Sequence, residues 1–212
     1  GFPNYDGWKE LWNQAQSGPE SKELWMSETY IEGGSFNNAL DLAGAIHGSL
    51  WAGNVSLWTN WSFGDMQLSR NQPTSSFYTS KNYYKFIRPG AIRVKTTTDN
   101  ADVMISAFEH PLNNTLTVVV INKSLLAQSA RITGNNLPAS YQVFRTTENE
   151  HCIEVDPVNN GDIFILPPRS VTTFVSSEFQ VLKINALSDQ LIYKNDPEQI
   201  VNLSGIDDGS GG

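Results

Sequence analysis

The sequence predicts an α/β section followed by an all-β sandwich, and three observations carry that prediction. Between residues 23 and 61 an apolar run, a helical stripe and a second apolar run follow one another in the order strand, helix, strand. From residue 91 onward, short apolar runs recur at about ten-residue spacing with turn residues between them. The two textures meet at Arg88-Pro89-Gly90, where proline and glycine break helical periodicity. The expected division is 1–90, 91–178 and 179–212.

Within the first section, Trp8, Leu11, Trp12 and Ala15 step by three and four, which predicts an amphipathic helix over Gly7–Gln16, ended by Ser17-Gly18-Pro19. Glu23–Ser27 has strand length and runs into Glu28-Thr29-Tyr30; Gly33-Gly34-Ser35 is a loop. Ala39, Ala43, Ile46 and Leu50 place a second helix over Asn37–Gly53, with Asn37 or Asn38 as its N-cap and Gly53-Asn54 at its end. Val55–Trp61 is the second strand. A helical crossover makes the two strands parallel, and a parallel pair needs cover on both faces. Two such strands make no finished sheet. The ends, Gly1-Phe2-Pro3-Asn4-Tyr5-Asp6-Gly7 and Asp207-Asp208-Gly209-Ser210-Gly211-Gly212, look cut, so a piece of a longer protein is expected. Gly64–Ser80 reads as a polar loop and Tyr83–Ile87 as a last short helix.

Eight runs make up the second section: Ile92–Thr96, Val103–Phe108, Leu116–Asn122, Ala127–Thr133, Gln142–Thr146, Ile153–Val155, Asp162–Leu166 and Ser170–Val175. Turns such as His110-Pro111-Leu112-Asn113-Asn114 separate them, the pattern of an antiparallel β-sandwich. Two later runs, Gln190–Tyr193 and Ile200–Ser204, look like the start of a further β module.

Composition excludes several functions. The chain has 14 Lys+Arg against 22 Asp+Glu, a net charge of −8, which disfavours nucleic acid and anionic membrane surfaces as partners. Only 17% of residues are charged, below the usual quarter or so, so the polarity is uncharged and hydrogen-bonding. No stretch reaches the ~20 apolar residues of a membrane span. Cys152 is the single cysteine, and His47, His110 and His151 share no ligand spacing, so no disulfide, metal or cofactor is expected. No signal peptide is visible at the first residues. Sequons at Asn54, Asn60, Asn113, Asn122 and Asn202 matter only in a glycosylating host.

Glu28 is the leading chemical candidate. It lies where the strand Leu24–Met26 runs out, between hydroxyls of Ser27 and Thr29 and aromatic Trp25 and Tyr30, and catalytic residues of barrels sit at the C-terminal ends of strands. The competing reading is a strand-end carboxylate in solvent. Trp58, Asn60 and Trp61 lie at the end of the second strand, where aromatic faces can take the C–H face of a sugar. For Trp58 packing between strands and helices competes evenly; for Trp61, beside Asn60 and Ser62, binding is favoured. His110 and His151 are read as satisfied surface histidines at turns, His47 as packed or at its helix's polar edge. Lys81, Lys85, Arg88 and Arg93 are read as interface or solvated charges. Tyr83, Tyr84 and Phe86 are read as staples to the sandwich.

Lys22-Glu23-Leu24-Trp25-Met26-Ser27-Glu28-Thr29-Tyr30, then Leu57-Trp58-Thr59-Asn60-Trp61, then Tyr84-Lys85-Phe86-Ile87-Arg88-Pro89-Gly90-Ala91-Ile92-Arg93-Val94 resemble glycoside hydrolase family 30, the family of bacterial endo-xylanases and lysosomal glucosylceramidase. Val118–Ser124 and Leu166–Val175 resemble its side β-domain. The resemblance implies the C-terminal part of a (β/α)₈ TIM barrel over 1–90, its seventh and eighth strands, followed by the sandwich. It implies hydrolysis of β-glycosidic bonds with retention, Glu28 as nucleophile, and Trp61 in the sugar pocket. Trp58, Tyr30 and Asn60, from their places at or just past the strand ends, are further candidate substrate contacts. The family's acid/base Glu belongs to the fourth strand and has no match here. The implied partners are a β-linked polysaccharide or oligosaccharide and the N-terminal barrel portion of the same protein; the implied location is secreted or at the cell surface. The chain alone is expected to be inactive. In glucuronoxylanases an Arg and a Tyr follow the eighth strand; here that place reads Ser62 to Leu68 with neither, and Arg70 is out of register. A non-catalytic carbohydrate-binding or structural β-sandwich is the alternative.

Overall fold

The computed structural model describes residues 4–31, 35–62, 68–69, 72–176, 183–184 and 206–207. Residues 1–177 form one unit and 178–212 a second. In the second, Lys183–Ile184 pairs antiparallel with Ile206–Asp207; the runs expected at 190–193 and 200–204 lie outside the described residues, as do most of Ser62 to Leu68 and Arg70.

Helix α1 (Tyr5–Gln16) starts on Asn4, whose side chain accepts the Gly7 N–H at 2.9 Å. Strands β1 (Trp25–Met26) and β2 (Leu57–Trp58) are parallel, with Trp25 opposite Leu57 and Met26 opposite Trp58. Both are shorter than the expected runs. Between them runs α2 (Phe36–Trp51), capped by Ser35 and not by Asn37 or Asn38. Ser35 is still extended, so its hydroxyl can reach the Asn38 N–H, whereas both asparagines are already inside the first turn.

The segment expected to be a polar loop differs most. It holds a short hairpin, β3 (Leu68–Ser69) with β4 (Gln72–Pro73), and then a ten-residue helix, α3 (Ser75–Tyr84), capped by Thr74. The helix expected at Tyr83–Ile87 coincides with α3 only at Tyr83 and Tyr84. The reason is that α3 buries Ser76, Thr79, Ser80 and Asn82 beside Tyr83. A hydropathy pattern cannot register a buried face made of small polar groups.

All eight expected sandwich strands form: β5 (Ile92–Val94), β6 (Val103–His110), β7 (Thr115–Asn122), β8 (Gln128–Ala130), β9 (Ser140–Thr146), β10 (His151–Asn159), β11 (Phe164–Leu166) and β12 (Ser170–Ser176). Six make an antiparallel sheet in the order β10-β9-β12-β7-β6-β5, and β8 with β11 makes a two-stranded second layer. The central strand β7 serves both cores. Val119 and Ile121 pack with Leu42, Ala43, Ile46, Trp58 and Tyr83, while Val118 and Val120 pack with Tyr141, Val143, Leu166 and Phe174. That is why β7 reads as a continuous apolar run rather than an alternating one.

The α/β section is fastened to the sheet by polar groups as well as apolar ones. Asn82, with no exposed surface, donates to Thr173 Oγ1 at 3.0 Å and to the Phe144 carbonyl at 3.4 Å. Its Oδ1 accepts the Thr146 hydroxyl, and its backbone carbonyl accepts that of Thr173 at 2.8 Å. Tyr83 OH donates to the Ala43 carbonyl at 3.2 Å, which ties α3 to α2. Phe86 packs on Phe144 with ring centroids 4.5 Å apart, and Tyr84 is 42% exposed. At the junction His110 is buried, not superficial: Nδ1 accepts the Asn113 N–H at 3.2 Å, so Nε2 donates to the Pro89 carbonyl at 2.9 Å. Gly90 sits at φ +95, and a Cβ there would lie 3.3 Å from that same Nε2. His151 is exposed and stacks on Tyr78 at 4.6 Å.

Two consequences can be measured. Asn82→Ala removes the buried side-chain hydrogen bonds to Thr173, Thr146 and the Phe144 carbonyl at once, so urea unfolding should show a loss of about 2–4 kcal/mol. His47, buried on α2 beside Tyr5 and Trp51, has its pKa lowered by desolvation to about 4. The folded state therefore holds it neutral, and stability is complete above the unfolded value near 6.5. It is lost as pH falls from there to about 4, by roughly 3 kcal/mol. His47→Gln should flatten that part of the pH–stability curve.

Candidate functional site

Regular pairing of β1 with β2 ends at Met26 and Trp58, but the two chains stay together beyond it. Thr59 N–H donates to the Met26 carbonyl at 2.9 Å, and the Thr59 hydroxyl reaches the carbonyls of Met26, at 3.2 Å, and Ser27. Trp61 N–H then donates to the Thr29 carbonyl at 2.8 Å. Glu28 stands between these two anchored residues. Its backbone is held on both sides by the exit of β2, while its side chain is exposed.

The structure brings the expected site residues together unequally. Trp61 is 60% exposed and Tyr30 55% exposed, both on the segments that the Thr29–Trp61 bond joins. Trp58, at 9% exposure, lies instead in the core with Leu42, Ala43 and Ile46. In β1 and β2 the side of Met26 and Trp58 faces α2, so a large indole there fills the strand–helix layer. Asn60 is half-buried, and its Oδ1, the Thr29 hydroxyl and the Trp58 Nε1 are buried without a hydrogen-bond partner. The opposite face of the pair shows Trp25, 65% exposed, and Leu57.

The basic residues do structural work. Arg93 Nε donates to Asn54 Oδ1 at 3.3 Å, Arg88 to the Tyr84 carbonyl at 3.4 Å, and Lys85 lies 4.6 Å from the Phe144 ring centroid. Sequence reasoning missed Thr59. A threonine in a strand is ordinary β-propensity, and nothing in its neighbours signals that its hydroxyl reaches across to the strand end that carries Glu28.

Residues 90–174 match the glycosyl hydrolase family 30 beta sandwich domain. The sandwich is that of glycoside hydrolase family 30. The chain is similar to glucuronoxylanase XynC of Bacillus subtilis strain 168, 30% identical over 169 residues that cover 73% of this chain and 39% of that protein. Among solved structures it is similar to a family 30 endoxylanase from Clostridium papyrosolvens C71, with TM-score 0.72 and 28% identity over 80% of this chain and 46% of that one. It is also similar to the family 30 subfamily 8 xylanase Xyn30A from Clostridium acetobutylicum, with TM-score 0.64 and 25% identity over 73% of this chain and 42% of that one. The chain thus spans less than half the length of each of these family members.

Thr59→Val keeps the size and removes the hydroxyl. The carbonyl of Ser27 then loses a partner, and hydrogen exchange should show weakened protection at residues 27–29 with a stability loss of about 1 kcal/mol. Protection of β9 and β12 should not change.

Proposed function

We propose that this chain is part of a retaining glycoside hydrolase of the xylanase type, acting on a β-linked polysaccharide, in which Glu28 is the nucleophile. One observation carries the reading: the exposed Glu28 is held on both sides by the exit of β2 and joined through Thr29 to the exposed indole of Trp61. A nucleophile must be fixed relative to the ring it attacks, and an exposed aromatic face is what holds a sugar ring. Tyr30 adds a second aromatic edge, and Asn60 Oδ1 an unpartnered acceptor for a sugar hydroxyl. Trp58 supports the site from the core without touching substrate.

In this mechanism ionised Glu28 attacks the anomeric carbon while a second carboxyl group, about 5–5.5 Å away, protonates the departing oxygen. That group then acts as a base toward water, and hydrolysis of the glycosyl-enzyme frees Glu28. The second carboxyl group comes from a portion of the barrel outside this chain. The bare Trp25–Leu57 face of the parallel pair supports such a barrel, because parallel strands are covered on both faces. A xylan-type substrate is supported by the xylanases among the similar proteins, and by a low charge that suits neutral polymers. Polymers of that kind are met outside the cell, so the protein acts as a secreted or surface enzyme.

The chain alone should not release reducing sugar from xylan. In the longer protein, Glu28→Gln should lower turnover to below roughly a thousandth of wild type, since removing a nucleophile can cost on the order of 10⁶, while xylo-oligosaccharide binding by calorimetry is kept. A non-catalytic binding module would have no turnover to lose in either form.

A further inference from the structure

We propose that Arg169, on the sandwich loop between β11 and β12, is a positioning residue that fixes the start of α2 and thereby the segment carrying Glu28; the link to catalysis rests on the assignment of Glu28 above. Its guanidinium donates to Asn37 Oδ1 in the first turn of α2 and lies 5.8 Å from the centroid of the Phe36 ring, itself buried. Its own N–H donates to the Ser124 carbonyl at 2.9 Å. Behind it stands fully buried Asn122, whose side-chain amide donates to the carbonyls of Leu126, Leu166 and Pro167 at 3.0, 3.2 and 2.8 Å. Asn122 Oδ1 also accepts the Ser124 N–H at 3.0 Å. One amide thus knits together the two loops that present Arg169.

Two features of Arg169 run against local preference. Its backbone is left-handed, φ +48, a conformation that non-glycine residues adopt at a cost. Its positive charge lies at a helix N-terminus, the end whose dipole disfavours a cation. Helix capping does not explain the contact, because Ser35 already caps α2. What the contact does is tie the sandwich to the point where the chain leaving Glu28 becomes helical. Thr59 anchors Met26 and Ser27 before Glu28, and Trp61 anchors Thr29 after it; farther on, Ile31 packs on the core cluster of Leu42, Ala43 and Ile46, and α2 begins five residues after Ile31. Arg169 fixes that downstream end from the sandwich. A planar guanidinium can lie over Phe36 and donate in its own plane to Asn37, which an ammonium cannot do.

The test uses the full-length protein that contains this chain, assayed on xylan and by hydrogen exchange. R169A should speed exchange of the amides of residues 28–31 and 36–40 while leaving β9 and β12 protected. It should lower kcat about ten- to a hundredfold, the scale of a small displacement of a reacting group, with KM unchanged; R169K should recover little. Adding N37D to R169A supplies the helix start with the charge its dipole favours, so a purely structural role predicts recovery of kcat and the proposal predicts none. Unchanged exchange at 28–31 in R169A, unchanged kcat, or recovery of kcat in the double variant overturns the proposal. If instead E28Q retains turnover, the nucleophile assignment falls, and the exchange data alone decide whether Arg169 holds the segment.

Discussion

Asn82 has no contact with water, and an amide so placed is tolerable only if its donors and acceptor are met inside the protein. They are met by Thr146, Thr173 and the Phe144 carbonyl, which lie on two neighbouring strands of the six-stranded sheet. The observed placement of α3 on that sheet satisfies all of them. From α3 the constraint passes through Tyr83 to the Ala43 carbonyl on α2, and from α2 through Met26 and Trp58 to the parallel pair. The apolar cluster supplies most of the driving force for this packing, yet apolar contacts alone tolerate sliding. The buried amide supplies the register.

A second constraint acts at the other end of the same pair. Among the described residues β1 and β2 pair only with each other, and regular pairing lasts two residues per strand. The Thr59 hydroxyl and the Thr29–Trp61 bond extend the contact past that limit, to where Glu28 stands. With the sandwich holding the start of α2 through Arg169, the segment bearing the carboxylate is bounded on both sides. In this account the sandwich does more than cover one side of α2 and α3.

How much of this was legible in the sequence follows from which forces left a pattern. The sandwich strands were legible because each buries apolar residues and is closed by turn chemistry such as Pro111-Leu112-Asn113-Asn114. The crossover α2 was legible because its core face is apolar: Ala39, Ala43 and Ile46. Helix α3 was not, because it meets the sheet through Ser76, Thr79 and Asn82, residues that look like loop. At the site, Glu28 and Trp61 could be nominated from their positions at strand ends. Trp58 could not be assigned to pocket or core, since an indole suits both; the side of the strand that faces α2 decided it. Thr59, Asn122 and Arg169 left no local signal, because each acts on a partner far away in sequence.

The central claim is that Glu28 forms the bond to sugar, and covalent trapping tests it most directly. The full-length protein would be inactivated with an activated 2-fluoro-xylobioside, whose glycosyl-enzyme turns over slowly, then digested and sequenced by mass spectrometry. The account predicts a stoichiometric disaccharide adduct on the peptide containing Trp25-Met26-Ser27-Glu28, located at Glu28. Inactivation with the adduct on a different carboxylate would contradict it.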